Sequence, residues 1–96
     1  MTKPTESIIF ATPHYTDMAT AISASTGIEL GALETKLFPD GERYLRLISS
    51  VKQRHVICLG GTFNHRSTLD LYDLASAVVE QGARRLTLGI PYFGYS

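Results

Sequence analysis

Cysteine and tryptophan are almost missing from this sequence, which has one Cys and no Trp in 96 residues. A single thiol excludes a disulfide framework. Cys58 lies inside the apolar run Val56 to Leu59, where it reads as a buried, inert thiol rather than a nucleophile or a ligand. An excess of charge of either sign is lacking too, because nine Lys and Arg balance nine Asp and Glu. No run of like charge reaches the roughly five or six residues that would suggest a nucleic-acid or membrane surface, so no nucleic-acid partner is expected.

Long apolar runs are also absent. No stretch approaches the roughly 20 apolar residues of a membrane span, and no signal-peptide core follows the polar residues Met1 to Ser7. A cytoplasmic protein without a membrane partner is the simplest expectation. What is present is an ordinary globular make-up, 44% hydrophobic and 19% charged. A chain of this size buries a small share of its surface, which implies association with more protein, either as an oligomer or through a second half.

Ser7 to Ala11 is a short β-rich run, and Thr12-Pro13 after it reads as an N-cap with a first-turn proline. A helix from Tyr15 to about Thr26 follows, with Tyr15, Met18, Ala19 and Ile22 on one narrow apolar face and Gly27 as its stop. Leu33, Thr35 and Leu37 alternate with Glu34 and Lys36, the period of a half-buried strand. The turn signal Pro39-Asp40-Gly41 separates them from a second strand over Tyr44 to Ile48.

His55 to Leu59 is near-continuously apolar, as in a parallel strand covered on both faces. Gly60 and Gly61 end it. Ser67 or Thr68 can cap a helix to about Gln81, with Leu71, Leu74, Ala75, Val78 and Val79 as its apolar stripe and Gly82 as its stop. Arg85 to Ile90 returns to strand, completing a right-handed βαβ unit. The expected fold class is therefore α/β, a mostly parallel sheet flanked by helices, with a strand pair projecting around the Phe38 to Glu42 loop. Residues 1–96 read as one unit, an incomplete domain, because the aromatics of Pro91 to Tyr95 crowd up to the last residue.

Among candidate sites, Phe38-Pro39-Asp40-Gly41-Glu42 carries the most chemistry. An aromatic ring and two carboxylates project from a glycine-enabled turn, a set that can stack on a base and accept hydrogen bonds from an exocyclic amine; an ordinary solvated turn is the alternative. Gly60-Gly61-Thr62 matches no phosphate-loop motif and reads as a plain strand-to-helix turn. His14, His55 and His65 fit no short metal-ligand spacing, and no G-x-S-x-G elbow marks a nucleophile. Pro91 to Tyr95, beyond a strand's carboxyl end, reads as a wall under a ligand or as core.

Taken in order, these pieces resemble the N-terminal portion of ribose-phosphate pyrophosphokinase. The marks are the Phe-Pro-Asp-Gly-Glu loop before a strand, the long helix after Asn64, and Arg85-Leu86-Thr87-Leu88-Gly89-Ile90-Pro91-Tyr92-Phe93-Gly94-Tyr95. The resemblance implies a phosphoribosyltransferase-like fold, and transfer of diphosphate from Mg-ATP to ribose 5-phosphate to give phosphoribosyl diphosphate and AMP. It implies that Phe38 stacks on adenine while Asp40 and Glu42 read its amino edge, that the loop reaches a neighbour's ATP site in a homo-oligomer, and that magnesium accompanies ATP.

Ser50 and Lys52 fall near family positions that hold a regulatory phosphate, although the family usually has Arg where Lys52 stands. The family's Arg-Gln-Asp stretch, catalytic histidine, basic loop and phosphoribosyl-binding loop are all missing, so this chain alone is expected to be inactive, with no catalytic residue of its own. The loop Gly61 to Arg66 also departs from the family pattern. A non-catalytic regulatory homologue and a small α/β binding module are the alternatives.

Overall fold

The computed structural model describes residues 6–41, 43–62 and 64–91. In chain order these form β1 (Ser7–Ala11), α1 (Thr16–Thr26), β2 (Glu29–Leu30), β3 (Leu33–Leu37), β4 (Arg43–Leu47), β5 (His55–Leu59), α2 (His65–Glu80) and β6 (Arg85–Gly89). Four strands make a parallel sheet in the order β2-β1-β5-β6, and β3 with β4 makes a separate antiparallel pair. The α/β class with a projecting strand pair is the architecture observed.

Alternation along the strands explains the core. Successive side chains point to opposite faces, so Ile8, Phe10, Val56 and Cys58 face Leu71, Leu74 and Val78 of α2. Ile9 and Leu59 instead meet Ala19 of α1. With helices on both faces, β1 and β5 must be apolar at nearly every position, which is why Val56–Leu59, after His55 at the strand's start, lacks a polar alternate. Phe10, Ile8 and Ile9 are almost completely buried, and each contributes about 1.5–3 kcal/mol by leaving water. Leu33, Leu45 and Leu47 pack the hairpin onto the α2 side of this core.

The helix ends differ from expectation in two places. Thr12 makes no side-chain cap; Pro13–Tyr15 instead form a tight 3-10 turn closed by the Tyr15 N–H donating to the Thr12 carbonyl at 2.9 Å, and α1 starts at Thr16. At α2 the cap is Asn64, ahead of both Ser67 and Thr68, the two residues expected to cap it. Its Oδ1 accepts from the Ser67 N–H at 2.8 Å while the Asn64 N–H donates to Ser67 Oγ at 3.1 Å, a reciprocal capping box. Ser67 therefore serves the cap from inside the first turn.

The helix faces are also narrower than the sequence pattern suggests. Met18 is exposed, as is Val79 on α2, which lies off the line of Leu71, Leu74 and Val78. The two-residue β2 was not anticipated. It exists through its parallel register with Ile8 and Ile9, a tertiary pairing with no local signal. Arg54 ties this edge down: its guanidinium reaches Glu29 at 2.7 Å and the carbonyls of Ser50 and Ser7 at 3.1 and 3.5 Å.

Cys58 has no exposed surface, and burial pushes its thiol up to about 12. The folded state thus holds the proton more tightly than the unfolded chain, whose thiol titrates near about 8.5. That stability is fully present at neutral pH and is lost as pH climbs from the unfolded value toward the folded one. A thiol reagent such as dithiobis(nitrobenzoate) at pH 8 is expected to leave the folded chain unlabelled and to modify one thiol in denaturant. Rapid stoichiometric labelling without denaturant would contradict the buried placement.

Candidate functional site

The tip of the β3–β4 hairpin displays the residues that the sequence singled out. The ladder pairs Leu33 with Leu47 through Leu37 with Arg43, and the Gly41 N–H donates to the Phe38 carbonyl at 2.9 Å to close the turn. Gly41 has φ +88°, a left-handed conformation that strains residues with a Cβ and suits glycine. Closing the chain in this way sends Phe38 outward, 46% exposed despite its apolar ring. Asp40 is exposed beside it. Glu42, the third residue of the expected set, lies outside the described residues.

An exposed ring held on a tight turn with a carboxylate two residues away can offer a stacking face and a hydrogen-bond acceptor together. The hairpin's base is firm. Leu33, Leu45 and Leu47 anchor it in the core, the Ile48 and Ser49 N–H groups donate to the Ala32 carbonyl at 2.9 and 3.1 Å, and the Ala32 N–H donates to Ser49 Oγ at 2.8 Å. On the outer face Arg46 pairs with Glu34 at 3.4 Å.

The other candidates separate in space. Gly60 spends its amide on the Gly89 carbonyl at 3.0 Å, which leaves that N–H no role in a phosphate cradle. His14 sits in the 3-10 turn, His65 opens α2, and His55 on β5 places Nε2 2.8 Å from Thr87 Oγ1. Among the described residues no group of three or more His, Cys, Asp or Glu is placed to hold a metal ion. Ser50 and Lys52 are exposed in the connection before β5. Tyr92 to Ser96, the aromatic end of the chain, lies outside the described residues.

Sheet order and flanking helices define a phosphoribosyltransferase-like α/β protein. The chain superposes on a purine phosphoribosyltransferase from Pyrococcus horikoshii with TM-score 0.68 and 14% identity, covering 94% of this chain and 69% of that one. It also superposes on the phosphoribosylpyrophosphate synthetase from Mycobacterium smegmatis with TM-score 0.72 and 18% identity, covering 88% and 29%.

Residues 7–96 match the family model of the N-terminal domain of ribose phosphate pyrophosphokinase, and the chain belongs to that family. Ribose-phosphate pyrophosphokinase from Saccharolobus solfataricus is 33% identical over 78 residues, which are 79% of this chain and 27% of the relative. The enzyme of the same name from Methanobrevibacter smithii is 33% identical over 81 residues, 83% of this chain and 27% of the relative. The chain thus spans roughly a quarter of the length of these relatives. Among the described residues no helix is long and apolar enough to cross a membrane.

Proposed function

We propose that this chain is the N-terminal, nucleotide-facing part of an enzyme that transfers diphosphate from Mg-ATP to ribose 5-phosphate. In that reaction the ribose 1-hydroxyl oxygen attacks the β-phosphorus and gives up its proton, and AMP leaves with the bridging oxygen. Phosphoribosyl diphosphate is the second product. The observation that carries the reading is the exposed Phe38 beside Asp40, on a turn closed by a hydrogen bond of 2.9 Å, in a chain of this family.

In this reading Phe38 stacks on adenine, while Asp40 and Glu42 accept hydrogen bonds from its amino group. The stack orients the nucleotide and excludes water from one of its faces. The hairpin delivers these residues to the ATP site of a neighbouring copy, so the working form is a homo-oligomer in the cytoplasm. Magnesium would come with the ATP phosphates, which need at most one or two protein carboxylates, and no step is assigned through it. Ribose phosphate binding and bond cleavage belong to residues beyond this chain, which by itself is inactive.

The test is ribose 5-phosphate-dependent release of AMP from Mg-ATP, measured on the full-length protein and on this 96-residue chain side by side. Turnover by the full-length protein and none by the chain is the expected pair of results. Silence from both, with ATP still bound by the full-length protein, would replace this reading with that of a regulatory homologue, toward which the divergent loop Gly61 to Arg66 points.

A further inference from the structure

The strand order reverses between β1 and β5, since β1 leads outward to β2 and β5 leads the other way to β6. In open α/β sheets the crevice beyond the carboxyl ends of two such strands is where ligands bind. On this edge β5 runs out at Leu59, and the 16-residue α2 starts from its Asn64 cap. The start of such a helix carries a partial positive charge, which suits an anion.

Two independent observations single out this helix end. Thr62, two residues before the cap, is 8% exposed, and its Oγ1 has no hydrogen-bond partner. An unpaired buried hydroxyl is destabilising and rare in folded proteins; the acceptor it lacks is what the oxygen of an anion brings. The second observation is one of charge. The first turn, His65 to Ser67, holds no acidic residue and contains Arg66. The helix dipole favours carboxylates there and opposes a cation, so helix stability does not account for Arg66. Its side chain is exposed, and among the described residues its guanidinium has no hydrogen-bond or ion-pair partner.

Gly60 has its N–H on the Gly89 carbonyl, and the Ser67 N–H is taken by Asn64 Oδ1 at 2.8 Å. The site therefore differs from a glycine-loop cradle of amides, and rests on side chains and the dipole. We propose that the start of α2 binds a phosphate group, with the Arg66 guanidinium and the Thr62 hydroxyl donating to its oxygens. The proposal does not depend on how the hairpin tip treats ATP.

Inorganic phosphate titrated into the full-length protein at neutral pH should shift the Thr62 and Arg66 amide resonances saturably, while chloride at matched ionic strength should not. Losing a hydrogen bond to a charged group costs about tenfold in affinity, the loss expected for Thr62→Val. Arg66→Glu should lose at least as much, and Arg66→Lys less, since a point charge remains. Without phosphate, Thr62→Val and Arg66→Glu should melt no lower than the parent. One removes an unpaired hydroxyl, and the other places at the helix start the charge its dipole favours, so weaker binding would not reflect unfolding. Ribose 5-phosphate as a second titrant separates the sources. Tighter binding than inorganic phosphate at the same amides would assign the group to a sugar phosphate, weaker binding to the free ion, and either order supports the site. The absence of a saturable shift would overturn the proposal, as would unchanged affinity in Arg66→Glu. A Thr62→Val protein that melts well below the parent would overturn it too, because the hydroxyl would then already have its partner.

Discussion

Replacing Phe38 by alanine in the full-length protein is expected to raise the apparent dissociation constant for ATP about tenfold or more, leaving the melting temperature nearly unchanged. The size follows from the contact invoked, since removing an aromatic ring from a stacked base costs about 1–3 kcal/mol. The small stability effect follows from exposure: a ring 46% accessible on a turn contributes little to the core. Phe38→Tyr preserves the stacking face and should retain most of the affinity, separating loss of stacking from a general disturbance of the turn. Unchanged ATP affinity in Phe38→Ala would remove the tip from the nucleotide site.

The second large effect concerns Gly31, and here the expected loss is of stability. A Cβ at Gly31 would lie 2.5, 2.6 and 2.8 Å from Cε1, Cζ and Cδ1 of the Phe10 ring. Neither partner can yield cheaply. Phe10, on β1, is completely buried in the core that β1 and β5 share with α2, while the Gly31 N–H is held at 2.8 Å by the Ile9 carbonyl, fixing the backbone against β1.

Overpacking of this kind costs about 1–3 kcal/mol, which in a domain this small corresponds to a fall of about 4–8 °C in melting temperature per kcal/mol. Gly31→Ala should therefore melt some 10 °C below the parent in a thermal scan. Adding Phe10→Leu should recover part of that loss, so the two changes would be non-additive. An unaltered melting temperature in Gly31→Ala would mean that the ring and strand are not packed as described.

Much of this architecture is written in local pattern. His55–Leu59 was legible residue for residue, because a strand covered on both faces leaves no room for polar alternates after His55 at its start. The hairpin was legible from the alternation of Leu33, Thr35 and Leu37 before Pro39-Asp40-Gly41, and the exposed placement of Phe38 and Asp40 followed from the turn. The details that escaped are those set by partners distant in sequence. The Glu29–Leu30 strand exists through pairing with β1, and the Asn64 cap was hidden because Ser67 is itself a common cap residue.

The separation of the β3–β4 pair from the parallel sheet has a consequence for divergence. No ladder joins the hairpin to that sheet among the described residues, and its attachment lies at its base, through leucines and the Ala32 backbone. Substitutions at the tip are thereby insulated from the register of β1 and β5. Under selection, the turn can exchange one ring or acceptor for another while the scaffold's stability is left largely alone, a modularity that lets recognition drift faster than fold.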